Sequence, residues 1–143
     1  MTRAGATDVA DWLALRIALW PDAAEESPEE IAALLANADQ AAFVARDDGG
    51  RALGFAEASI RRDHVNGCET SPVGFLEGIY VVEDARRQGV ARQLVAAVAA
   101  WSHQHDCREL ASDAAIDNDA SHHMHTALGF GETQRVVFFR RRL

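Results

Sequence analysis

Apolar positions along the chain change period several times, and each change marks an element. From Asp8 to Trp20 the positions Val9, Trp12, Leu13, Arg16 (through its stem), Ile17 and Trp20 follow helical spacing. This predicts an amphipathic helix that stops at Pro21. Ser27-Pro28-Glu29-Glu30 opens a second helix, with Ser27 as cap, Pro28 at the first helical position and Glu30 closing a capping box. Ile31, Leu34 and Leu35 supply its buried face, and the acidic connection 21–26 is expected to be exposed. A short first strand is expected within residues 2–6. Ala41–Arg46 and Ala52–Arg61 read as strands, and Asp47-Asp48-Gly49-Gly50 between them tolerates positive φ, so the two form a hairpin.

The second half alternates in the same way. His64–Ser71 is a polar loop containing Asn66-Gly67, and Val73–Val82 is a strand interrupted by Gly74 and Gly78. Glycines inside a strand signal a bulge or the close approach of another backbone or a ligand. Val90, Leu94, Val95, Val98 and Trp101 recur at helical spacing over 90–105. Glu109–Ser112 is a short strand ending at Asp113. A helix runs from about Asn118 to Leu128 and ends at Gly129-Phe130. Val136-Val137-Phe138-Phe139 lies in a last strand, Thr133–Arg140. The order β-α-α-β-β-β-α-β-α-β predicts a mixed α/β fold, and a length of 143 residues without linkers or repeats points to one domain over 1–143.

Composition narrows the partners. Fourteen basic against 22 acidic residues give a formal net charge of −8, which disfavours a nucleic-acid partner and suits a cationic one. The chain shows no signal peptide and no long apolar run, so no membrane association is expected. A cytoplasmic location with Cys68 and Cys107 reduced is expected. No base motif accompanies either thiol, so neither is assigned as a nucleophile.

The candidate chemistry centres on Arg86-Arg87-Gln88-Gly89-Val90-Ala91, which fits the pattern Arg/Gln-x-x-Gly-x-Gly/Ala. A glycine there lets backbone N–H groups approach an anion at the positive end of the following helix. Alone, the pattern also describes a helix start with surface arginines. Its place between a glycine-containing strand and an amphipathic helix favours the anion site. His122 and His125 share a helical face, but no further ligand stands at fixed spacing, so no metal is expected.

These residues resemble the GNAT superfamily of acetyl-CoA-dependent N-acyltransferases, with Asn118 and Leu128-Gly129-Phe130 similar to its C-terminal motif. Leu19-Trp20-Pro21, Ala58-Ser59-Ile60-Arg61, Asp63, Val65-Asn66-Gly67-Cys68, Ser71-Pro72, Phe75-Leu76-Glu77-Gly78-Ile79, Ala111-Ser112-Asp113 and Arg135-Val136 resemble, more narrowly, the aminoglycoside 6′-N-acetyltransferases. The resemblance implies a GNAT fold whose mixed, mostly antiparallel sheet splays at the acetyl-CoA site. It further implies that Ile79, Tyr80 and Val81 hold pantetheine and acetyl group through their backbone. Arg86, Arg87, Gln88, Gly89, Val90 and Ala91 would bind the pyrophosphate, and Asn118 would also touch acetyl-CoA. Trp20, His64, Glu77, Asp113 and Gln134 match positions that line the aminoglycoside pocket.

The chemistry of the acceptor agrees with that assignment. An aminoglycoside is a polycation whose ammonium must lose a proton before it attacks a thioester. Glu77 and Asp113, placed near the ends of neighbouring strands, can orient the ammonium and take that proton, directly or through water. Without such a role, Glu77 would be a strand residue paired with an arginine, and Asp113 would cap the following turn. Direct attack in a ternary complex, antibiotic resistance and a homodimer are further implications of the resemblance. The sequence departs from the family at His64, where tyrosine is common, at Ala23, where histidine sometimes stands, and at Gln134, where glutamate is common. His125 occupies the position of the tyrosine that many GNAT enzymes use to protonate the leaving thiolate. A GNAT enzyme for another amine and a non-catalytic acetyl-CoA-binding module are the alternatives.

Overall fold

A computed structural model describes residues 2–143. The chain divides into two compact units, Met1–Asp113 and Ala114–Leu143. The first unit holds strands β1 (Thr2–Arg3), β2 (Gln40–Arg46), β3 (Ala52–Arg61), β4 (Val73–Val81) and β5 (Leu110–Ser112). It also holds helices α1 (Val9–Leu19), α2 (Ser27–Leu35) and α3 (Val90–Gln104). Helix α4 (Asp119–Ala127) belongs to the second unit. The strands form one five-stranded sheet in the order β1-β2-β3-β4-β5, antiparallel except for the parallel β4–β5 pair.

Alternation along the central strands explains the layers. Ala42, Val44 and Phe55 join Trp12, Leu15, Ile31 and Leu34 in a core on the α1 and α2 side. Their neighbours Phe43, Ala45 and Ala56 are also buried and point the opposite way. Strands buried on both faces need two helical layers, and α3 packs on β2, β3 and β4. The face expected on α3 is the one that is buried, with Leu94 and Val98 fully enclosed. Each such side chain contributes on the order of 2 kcal/mol of hydrophobic stabilisation.

Three expectations are corrected. Ser27 does not cap α2; it is the first helical residue, and its hydroxyl donates back to Ala23 O at 2.8 Å. The preceding residue Glu26 makes no side-chain cap bond, so the expected capping box with Glu30 is absent and Glu30 pairs with Arg16 instead. Leu35 is exposed, because Ile31 and Leu34 already complete the buried stripe. Thr133–Arg140 is not a strand: residues 130–143 have no regular structure, and Phe138 and Phe139 are 90% and 93% exposed. Among the described residues the sheet comprises β1 to β5, and that segment is no part of it.

The start of helix α1 is tied to the end of β2 by Arg46, which donates to Asp8 at 2.8 Å and to Asp11 at 2.7 Å. The Arg46 hydrogen bond, followed by the Gly5 N–H, holds the Asp8 carboxyl below its ordinary value of 3.8. A carboxyl lowered in the folded chain stabilises it above the unfolded value, and that contribution is lost as pH falls through the folded value. Arg46→Met should therefore cost about 1 kcal/mol near neutral pH, kept small by solvent screening. The gap to the native chain should close as pH falls below 3.8. Urea denaturation at both pH values measures this, and a gap of equal size at both would refute it.

Candidate active site

The site is organised by a change of partner along β4. Gly74, Phe75 and Leu76 pair with Leu110, Ala111 and Ser112 of β5 on one side, while β3 pairs along the whole strand on the other. Strand β5 ends at Ser112, but β4 continues to Val81. From Glu77 onward that edge of β4 has no ladder partner among the described residues. The register with β3 slips at the same point: Ala58 opposes Leu76 and Glu57 opposes Gly78, which leaves Glu77 as the extra residue of a bulge. A bulge bends and twists its strand, so the strand opens where its parallel neighbour leaves. The sequence marked this place through Gly78, where a Cβ would lie 2.4 Å from the Trp20 indole. An open strand edge of this kind can take an extended ligand as an added strand.

Beyond Val81 the chain makes a short 3-10 turn, Glu83–Ala85, and then the Arg86–Ala91 stretch. Gly89 lies at φ 82° and Arg87 at φ 62°. The second value is unusual for a residue with a side chain and marks a backbone held in place by its surroundings. Space beside Gly89 is open, so its conformation rather than crowding is what calls for glycine. No side chain caps the start of α3, whose first backbone bond runs from Gln93 N to Gly89 O. The Val90 and Ala91 amides therefore precede the helical ladder at the positive end of its dipole. The side chain of Arg86 turns back, donating to Val81 O at 2.9 Å and lying over the Tyr80 ring, and Gln88 donates to Asp84 O. The turn is thus fastened to the open end of β4. Ile79, Tyr80 and Val81 lie on that open stretch, half-buried.

Glu77 lies inside β4 rather than near its end, because β4 extends well past β5. Its carboxylate accepts from Ser59 Oγ at 2.6 Å and from Arg61 at 2.9 Å and 3.1 Å. Arg61 stacks on Phe75, 3.5 Å from the ring centroid. Asp113 follows Ser112 as Glu77 follows Leu76, so the two carboxylates stand one step beyond the last shared rung of adjacent parallel strands. Both are exposed. His64 is exposed in the loop before β4. That loop is clasped by Glu109, which accepts from the Glu69 and Thr70 amides at 2.9 Å and 2.7 Å and from the Thr70 hydroxyl. The Thr70 hydroxyl is the leading cause that lowers the Glu109 carboxyl.

Trp20 ends α1 and meets Phe55 edge-to-face at 6.2 Å. It lines a cleft of about 430 Å³ together with Leu19, Pro21, Asp22, Ala23, Glu26 and Glu30. Sequence reasoning missed the three carboxylates of this cleft, although the acidic 21–26 connection carried the signal. It also missed Glu57, a single acid inside the apolar run of β3. Glu57 is 3% exposed and accepts from Trp12 Nε1 at 3.0 Å and from Arg16 Nε at 2.8 Å. Burial pushes its carboxyl up, and the Trp12 and Arg16 contacts oppose that.

Within the second unit, Asn118 caps α4, accepting from Ser121 N at 3.1 Å. His125 Nδ1 contacts Ser121 O at 2.7 Å, and its ring meets Phe130 edge-on. His122 Nε2 contacts Ala115 O at 2.9 Å. Gln134 is exposed in the segment without regular structure. Among the described residues no group of three or more His, Cys, Asp or Glu side chains is arranged to hold a metal ion, and no helix is long and apolar enough to cross a membrane. Cys68 and Cys107 are free, and burial is the leading cause that raises both thiols.

Residues 9–130 match the profile of the Acetyltransferase (GNAT) family. An aminoglycoside N(6′)-acetyltransferase type 1 of Serratia marcescens is 53% identical over 92% of this chain and 91% of its own length. One of Acinetobacter baumannii is 48% identical over 96% and 94%. Among solved structures, AAC(6′)-Iy in complex with the bisubstrate analogue CoA-S-monomethyl-acetylneamine superimposes with a TM-score of 0.95 at 45% identity, covering 99% of this chain and 97% of that one. The aminoglycoside 6′-N-acetyltransferase AAC(6′)-Ih from Acinetobacter baumannii gives 0.96 at 46%, with the same coverage.

Proposed function

The chain belongs to the GNAT acetyltransferase family, and we propose that it transfers acetyl from acetyl-CoA to the 6′-amine of aminoglycoside antibiotics, conferring resistance to them. The observation that carries the reading is the open edge of β4 from Glu77 to Val81, running into the Arg86–Ala91 turn. On this reading Ile79, Tyr80 and Val81 bind pantetheine as an added strand, and one of their N–H groups faces the thioester oxygen. Donors aimed there stabilise the oxyanion that develops during attack. The amides of Gly89, Val90 and Ala91, with Arg86, Arg87 and Gln88, hold the pyrophosphate; the uncapped start of α3 supports this. Asn118 is assigned to the acetyl-CoA site by the resemblance of its motif.

The acceptor enters as an ammonium. Asp113 and Glu77 orient it and take one proton, directly or through water; their adjacent positions beyond the last β4–β5 rung support that role. The Glu77 carboxylate is already fixed by Ser59 and Arg61, which suits it to orient, whereas Asp113 is exposed and suited to exchange a proton. The free amine forms a C–N bond to the thioester carbonyl, the C–S bond breaks, and the leaving thiolate takes up the proton that the acylated nitrogen sheds. Trp20, His64 and Gln134 are assigned to the walls of the acceptor pocket. The acidic cleft beside Trp20 supports an electrostatic preference for a polycation.

The family match runs across the boundary between the two units, which supports treating 1–143 as one domain. A homodimer accounts for Val137, Phe138 and Phe139, which are 77%, 90% and 93% exposed. Free thiols support a cytoplasmic site of action, and recovery of the protein in an exported fraction would argue against it.

The central test is the regiochemistry of one product. An aminoglycoside with a free 6′-amine should yield a single 6′-N-acetyl product with stoichiometric CoA release, and its 6′-hydroxy counterpart should yield none; turnover of spermidine alone would establish a different amine acceptor. Asp113→Ala should lower kcat by about 10²-fold or more, as expected for loss of a general base. Near-native turnover would remove Asp113 from that role. Phe138→Asp with Phe139→Asp should convert a sedimenting dimer to monomer, whereas a native chain that sediments as a monomer would refute the dimer.

A further inference from the structure

Arg16 is a buried cation that none of the roles above employs. It is 7% exposed, yet it touches four groups that shape the acceptor side of the sheet. Its Nε donates to Glu57 at 2.8 Å, on β3 directly opposite Gly78 and next to the bulge at Glu77. Its guanidinium lies 5.0 Å from the centroid of the Trp20 ring. Its Nη1 is 2.5 Å from Glu30 Oε2 and 3.5 Å from Ser27 O, at the start of α2. The Trp20 ring in turn lies flush on Gly78, where no Cβ fits.

A point charge cannot hold such a set. The planar fork of arginine can donate in several directions while its face stacks on an aromatic ring. The contacts join the end of α1, the start of α2 and β3 opposite the β4 bulge around one group. Trp20 and Glu30, both touched by Arg16, also line the 430 Å³ cleft. A buried ion pair is a poor way to gain stability, since apolar replacements of similar volume often do as well. It is a good way to fix the relative position of three elements.

We propose that Arg16 is a positioning residue for acceptor recognition: it sets the Trp20 wall of the acceptor cleft against the β4 bulge and thereby tunes affinity for the aminoglycoside without touching it. This rests on the functional reading given above. Acetyl-CoA, held by the far end of β4 and the phosphate turn, should not sense it.

The test is steady-state kinetics with both substrates varied, on the native chain, Arg16→Lys and the double variant Arg16→Met with Glu57→Gln. The double variant leaves no buried charge unpaired and keeps apolar volume beside Trp20. It should raise the aminoglycoside KM about tenfold, the scale of a desolvated cation–π contact, with kcat and the acetyl-CoA KM near native. Arg16→Lys should fall between the two, since it keeps one charge contact and loses the fork. Ile31→Val, in the same core, serves as the comparison: it costs stability through a small cavity and should leave the aminoglycoside KM unchanged. A native aminoglycoside KM in the double variant would overturn the inference, as would a parallel rise in both KM values. If the double variant has no cooperative thermal transition, the same split measured on Arg16→Lys decides the matter. Absence of aminoglycoside turnover by the native chain would overturn the functional reading, and this inference with it, and is distinguishable because it precedes any variant.

Discussion

A strand can keep its backbone satisfied on only as many sides as it has neighbours. Strand β4 has two neighbours as far as Leu76 and one beyond it, because β5 ends at Ser112. The rest of the site follows from that mismatch in length. The polar groups along the freed edge must be met by water or by a ligand. An extended amide-bearing chain such as pantetheine is matched to such an edge in both spacing and polarity. The bulge at Glu77 falls at the same residue, so β4 bends away where its neighbour leaves, and the bend carries the strand toward the Arg86–Ala91 turn. Backbone geometry, more than any side chain, defines this open end of β4.

The Trp20 side of the sheet is built differently. Here the scaffold encloses charge: Glu57 and Arg16 are 3% and 7% exposed. Taking both out of water costs several kcal/mol, offset by their mutual contact and by the Trp12 hydrogen bond. That expenditure is hard to explain as stability and easier to explain as registration, because the pair sits opposite Gly78 and beneath Trp20. The two therefore meet at one bulge. On one side it leaves a strand edge free, and at Gly78 it receives the Trp20 ring.

Much of this was legible in the sequence wherever local pattern and tertiary fate coincide. The α3 face, the Asp47–Gly50 hairpin and the helix stop at Pro21 each rest on residues whose preferences are satisfied within a few positions of themselves. Gly78 and Gly89 were visible for the same reason, as glycines where a side chain would fit poorly, although the cause differs. Gly78 is confined by the Trp20 ring, and Gly89 is confined by its own φ of 82°. What could not be read was partnership at a distance. Ser27 had the composition of a cap, but its hydroxyl is drawn to Ala23 O. Glu57 carries no local signal within the strand 52–61, because its partners Arg16 and Trp12 lie 41 and 45 positions away in sequence.

The C-terminal segment takes this reasoning one step further. Val136-Val137-Phe138-Phe139 has high strand propensity, yet it forms no strand in the isolated chain. Strand propensity measures how well side chains fit a pleated, half-buried surface, not whether such a surface is present. Two phenylalanines at 90% and 93% exposure leave apolar area in water that folding would ordinarily remove. Propensity without a partner is thus information about the partner. A segment of that composition suits pairing with a strand edge.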